Sequence, residues 1–140
     1  MRDAFGGVLN IVIIAIFLVL VSGILGLTVN YTKAFRMKNF VISSIEEYDG
    51  QGCFSNGPSG CKRKIEEKAK SIGYHPVGVN CRGYDGQVSD IFCYKENTSG
   101  SGNNKYYSIV TQVDINIPII NKLMGLSFFQ VHGDTRVIRK

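Results

Sequence analysis

The sequence predicts an α+β protein: one long N-terminal helix, apolar enough to span a membrane, running on into a small head with one short helix and an antiparallel sheet of three or four strands. Three observations carry this. Residues Ala4 to Thr32 contain no charged side chain, and nearly all of Val8 to Val29 is apolar. Helical spacing of apolar residues then continues past that run. From Pro76 onward the period changes to two, the signature of strands.

A helix over 8–30 would be roughly 33 Å long across its apolar run at 1.5 Å per residue, against a hydrocarbon core of roughly 30 Å. Residues 1–7 precede it as a short tail. Its few polar members are Asn10, Ser22 and Thr28. Ser22 and Gly26, with Gly23 beside them, form a small-xxx-small pattern that would let a second helix approach closely. A cleavable signal peptide, cut near Val21-Ser22-Gly23, is the rival reading. The nearly uncharged Met1-Arg2-Asp3 and an apolar run longer than the usual 7–15 residues both speak against it.

Over 31–48, Ala34, Met37, Val41, Ile45 and Tyr48 recur at three- and four-residue spacing, so the helix is expected to run to about Tyr48. Asp49-Gly50-Gln51-Gly52 ends it, and residues 49–140 make the head. Cys53 to Cys61 is turn chemistry throughout. Lys62 to Ile72 predicts a second helix with Ile65, Ala69 and Ile72 on one stripe and Gly73 as its stop. Gln87 to Lys95 reads as one strand and Glu96 to Asn104 as a polar loop. Tyr107 to Ile117 alternates as a half-buried strand with one mostly polar face, ended by Pro118. Ile119 to Gly125 is a short apolar connection. Leu126 to Val131 and Thr135 to Ile138 are expected to form one or two last strands broken at Gly133-Asp134.

Charge and cysteines bound the setting. Sixteen Lys+Arg against 11 Asp+Glu give a formal net charge of +5, which favours anionic surfaces in general. No Arg-rich tract or aromatic-basic motif points to specific nucleic-acid recognition. Cys53, Cys61, Cys81 and Cys93 all follow the apolar run, an even count that predicts two disulfides and an oxidising compartment. Of the three pairings, Cys53 with Cys61 and Cys81 with Cys93 are favoured because each closes a short Gly-containing loop. A four-thiolate zinc site is the rival, and paired CxxC spacings are missing for it. Lys33, Arg36 and Lys38 directly after the apolar run would place the head in the cytoplasm by the positive-inside rule. The cysteines argue for the outside, and we follow them.

Catalysis needs convergent titratable groups, and few are offered. His75 and His132 stand alone. Glu46-Glu47 and Glu66-Glu67 lie on predicted helices, where adjacent side chains point about 100° apart. There is no HExxH, EF-hand or GxxxxGK pattern. No enzyme activity, cofactor or metal is therefore expected.

A short glycine-containing tail, an apolar helix with an amphipathic continuation and a small cysteine-bearing α+β head together resemble the pilin-like architecture. Within it the chain looks most like the TadE-like minor pilins of tight-adherence (Tad) pili. The similar stretches are Ala4-Phe5-Gly6-Gly7-Val8-Leu9, Val113-Asp114-Ile115-Asn116-Ile117-Pro118 and Gly133-Asp134-Thr135-Arg136-Val137-Ile138. The resemblance implies a structural or assembly subunit of a bacterial surface pilus or secretion apparatus, anchored in the cell membrane with its N-terminus cytoplasmic and its head extracytoplasmic or surface-exposed. Its partners would be other pilin-like subunits or membrane assembly proteins, met through the N-terminal helix. Gly6 and Gly7 would be the processing site. Pilins usually carry a Glu five residues into the processed helix, whereas Asn10, Ile11 and Val12 occupy that neighbourhood here. That departure suits a subunit that stays uncleaved, as an initiating or membrane-retained component. The alternative class is a membrane-tethered binding module that recognises a cell-wall polymer or a protein through a basic surface at Arg136, Arg139 and Lys140.

Overall fold

A computed structural model describes residues 1–55, 57, 59–100, 103–115, 122, 125 and 127–139. Its first element is helix α1, Arg2–Glu47, of 46 residues. No proline falls within it, so nothing interrupts the i→i−4 ladder, and the helix takes in residues 2–7 of the expected tail as well. It ends as expected within a residue. Asp49 and Gly50 take positive φ of 48° and 75°, and the Gly50 N–H donates back to the Ile45 carbonyl at 2.8 Å.

Helix α2, Gly60–Ile72, starts two residues before the predicted Lys62 because Ser59 caps it, its hydroxyl accepting from the Lys62 N–H. Gly73 closes it in the left-handed region at φ 64°, where only glycine sits without strain. It descends along α1: Cys61 Sγ lies 3.9 Å from the Ser44 carbonyl, Lys68 Nζ stands 5.4 Å from the Phe40 ring centroid, and Lys33 Nζ reaches the Gly73 carbonyl at 3.5 Å.

Four strands follow as an antiparallel meander in the order β1 (Gly86–Val88), β2 (Phe92–Thr98), β3 (Lys105–Asp114) and β4 (Phe128–Asp134). The single strand expected over Gln87 to Lys95 is instead a tight hairpin. Ser89 and Asp90 both take positive φ, 51° and 53°, and the Ile91 N–H donates to the Val88 carbonyl at 2.9 Å. The polar residues Glu96 to Thr98, read as loop, pair with Tyr107 to Lys105 and extend β2. The last strand does not break at Gly133-Asp134 either: both pair with β3, and Thr135 to Ile138 contributes only an isolated bridge from Ile138 to Lys105. The reason is steric. A Cβ on Gly133 would stand 2.8 Å from Ile42 Cδ1, so glycine is where the strand passes under α1. Pro118, the predicted strand end at Ile117 and most of the apolar connection 119–125 lie outside the described residues.

One face of the sheet packs on the helices. Ala34, Met37, Val41 and Ile45 of α1 are fully buried there with Ile65 of α2, Phe92 of β2 and Ile109 and Val113 of β3. Burying each large apolar side chain is worth about 1.5–3 kcal/mol. Tyr48, expected on the same stripe, is exposed, because the helix has already ended at Glu47. The polar face predicted for β3 is not solvent-facing. The loop 74–85 lies over it, packing Val79, Cys81 and Tyr84 against Cys93 and Val110, and residues Ile109 to Val113 are buried without a break. A strand covered on both faces loses its alternation.

Candidate functional site

The largest feature is the N-terminal half of α1. It is long and apolar enough to cross a membrane, and none of its apolar stretch is buried against the head. Phe17, Leu18, Ile24 and Leu25 are each more than 60 % exposed. Among the described residues the head first touches the helix near Leu27 and Asn30, so about 24 residues precede those contacts, an apolar rod of roughly 36 Å. Apolar surface of this extent is stable only when covered by lipid or by other apolar helices.

The small residues sit on this free part. Ser22 is exposed and Gly23 half-exposed, and a Cβ on Gly26, Gly6 or Gly7 would meet nothing within 4 Å. Among the described residues no contact requires Gly6, Gly7 or Gly26 to be small.

At the junction, Tyr31 stacks on Phe35 at 6.2 Å and on Phe129 of β4 at 5.7 Å. The Asn30 side-chain amide reaches the Asp114 carbonyl at 3.5 Å. Aromatic rings at this height match the belts found where helices leave a bilayer. The cations just beyond have work in the head: Lys33 donates to the carbonyl of Gly73, the residue that closes α2, and Lys38 Nζ lies 4.4 Å from the Phe35 ring centroid. Arg36 is exposed.

Both disulfides join neighbours in sequence. Cys53–Cys61 spans 5.0 Å between Cα atoms and is buried beside Ser44, tying the start of α2 to the end of α1. Cys81–Cys93 spans 5.5 Å and fastens the 74–85 loop to β2. Of the basic residues at the C-terminus, Arg136 is engaged with Glu46, its backbone N–H donating at 2.7 Å and its Nε 4.0 Å from the same carboxylate. Arg139 is exposed. Lys140 lies outside the described residues.

A polar cluster under the 74–85 loop carries no legible sequence signal. The Gln112 side chain accepts from the Asn80 N–H and donates to the Gly78 carbonyl, the Asp114 carboxylate accepts from the Val77 N–H, and the Tyr74 hydroxyl donates to the Gln112 carbonyl. Burial, with the Asp114 charge adding to it, pushes the Tyr74 hydroxyl up to about 12 despite the hydrogen bond from Gln112. The partners stand 38 residues apart in the chain. This is a fastening, since every polar atom named already has a partner within the protein. Among the described residues no group of three or more His, Cys, Asp or Glu is placed to hold a metal. His75 and His132 lie on different elements, and Glu66 accepts from the Ser89 hydroxyl. Comparison with protein-family models, curated proteins and solved structures finds no match.

Proposed function

We propose that the protein is a membrane-anchored structural or assembly subunit, built like a minor pilin or pseudopilin of a bacterial surface pilus or secretion apparatus, with its head outside the cytoplasm. One observation carries this reading: α1 is a single uninterrupted helix whose first half is apolar on every side and free, and whose second half is the spine of the head core. The rod and the head core therefore share one continuous helix. Such a helix is held by lipid while it sits in the bilayer, and offers the same apolar surface to neighbouring helices when it assembles.

Two further features support the reading. Ser22 is exposed and a Cβ on Gly26 meets nothing within 4 Å, which leaves room for a close helix–helix approach. The two disulfides suit an oxidising compartment for the head.

The test is photo-crosslinking from Leu18 in the native membrane. The expected products join this chain to others bearing N-terminal apolar helices, and Gly26→Leu removes them. A chain that crosslinks only to lipid overturns assembly through this helix. Protease added to intact cells should digest the head, and a head protected in intact cells would overturn the orientation.

A further inference from the structure

We propose that the cleft between α1 and the C-terminal end of α2 is a binding site for the headgroup of an anionic phospholipid. The proposal rests on α1 spanning the membrane and adds to it a specific lipid contact.

The cleft has a volume of about 330 Å³ and is lined by Thr28, Val29, Thr32, Lys33 and Arg36 of α1 and Ile72 of α2. Its height fits. The apolar run ends at Val29, so at 1.5 Å per residue Thr32 to Arg36 lie roughly 5–10 Å beyond the hydrocarbon edge, within the headgroup layer. Its charge also fits: two cations and no carboxylate line it.

The chemistry of the lining sets what can bind. The Thr28 and Thr32 hydroxyls donate along the helix, to the Ile24 and Thr28 carbonyls, each at 2.8 Å. Their protons are spent, which leaves the cations as donors. Lys33 directs one proton towards the Gly73 carbonyl at 3.5 Å, and so offsets the negative end of the α2 dipole that would otherwise repel an anion. Its other two protons make no hydrogen bond among the described residues. Arg36 makes no ion pair among the described residues, and its planar fork suits a phosphate bidentately. Val29 and Ile72 provide an apolar floor for the glycerol end of the lipid. A zwitterionic headgroup would bring a cation into a cleft that already holds two.

The experiment places the full chain in nanodiscs of equal phosphatidylglycerol and phosphatidylcholine, releases it, and reads the retained lipid by native mass spectrometry. Retained phosphatidylglycerol should exceed phosphatidylcholine by on the order of fivefold, the scale of one cation near an anionic surface. Arg36→Gln should lower the preference and Lys33→Gln with Arg36→Gln should abolish it. Lys62→Gln with Lys95→Gln removes the same charge at the far end of the head and should leave it unchanged. Equal retention of the two lipids by the unaltered chain overturns the proposal, as does an undiminished preference in Arg36→Gln or an equal loss in the distal pair. A chain that fails to float with the nanodiscs overturns the membrane anchor itself, and is told apart from the other outcomes by that flotation.

Discussion

The Tyr74 hydroxyl seals the edge of β3 at Gln112, accepting from its backbone N–H at 3.0 Å and donating to its carbonyl at 2.8 Å. Pairing with β2 stops at Phe92 and Thr111, so Gln112 is the first residue of β3 beyond the ladder and would otherwise leave two buried backbone groups open. One phenol takes the place of a strand. Tyr74→Phe keeps the ring and removes both bonds, and an unpaired buried polar group costs about 1–3 kcal/mol. Urea unfolding of the chain in detergent should show a loss in that range, and an unchanged midpoint would mean the edge is satisfied some other way.

The same hydroxyl makes the head sensitive to alkali. Its folded value is raised to about 12, chiefly by burial, above the ordinary value near 10. A group whose affinity for its proton is raised on folding contributes fully below the unfolded value and loses its contribution as the pH climbs through the folded one. Stability should therefore fall between about pH 10 and pH 12, at about 1.4 kcal/mol per pH unit at the steepest. In Tyr74→Phe this component is absent, so the two unfolding curves converge as the pH rises. Parallel curves would show that Tyr74 ionises as freely in the folded head as in the unfolded chain.

Each disulfide closes a short loop, with sequence separations of 8 and 12. By chain entropy these constrain the unfolded state by about 2.5–3 kcal/mol each. Cys53→Ser with Cys61→Ser should cost more than that figure, because both sulfurs are buried in the main core and two hydroxyls would replace them. Cys81→Ser with Cys93→Ser should free the 74–85 loop and expose Val110 while leaving the α1–α2 packing intact. Hydrogen exchange distinguishes the two: protection lost only in the loop and β2 for the second pair, and across α2 for the first.

Local rules of sequence found the helices and missed part of the sheet, for physical reasons that differ from place to place. Ala34, Met37, Val41 and Ile45 lie on one stripe because helical spacing and burial coincide, and the Gly73 stop needed only its own backbone freedom. The hairpin at Ser89-Asp90 was hidden because neither residue is the glycine or asparagine that usually announces positive φ at a turn. Gln112 looked like a solvent-facing residue of an alternating strand, and its burial depends on a loop some 30 residues earlier that folds back over it. Gly133 looked like a break and is a close approach, since the atoms that forbid a side chain belong to α1, about 90 residues away in the chain. The basic residue Arg136 looked free because its partner Glu46 is equally distant. Contacts of this kind have no local signature.

Two glycines on opposite terms with α1 separate the part of that helix committed to the head from the part left for other molecules. Gly133 of β4 faces Ile42 and Lys38, with a Cβ position 2.8 Å from Ile42 Cδ1 and 3.0 Å from Lys38 Cδ. Both are ends of side chains that can yield, so Gly133→Ala should cost less than Gly133→Val, whose branch forces β4 away from the helix and should cost about 1–3 kcal/mol as overpacking does. Gly26 lies on α1 with nothing within 4 Å of its Cβ position. Gly26→Leu should leave the unfolding midpoint of the head unchanged, within about 0.5 kcal/mol. If Gly26→Leu removes the crosslinks between chains while the head unfolds normally, the free face of α1 is the assembly surface. If it destabilises the head as Gly133→Val does, that stretch of helix packs within the chain and is not available to a partner.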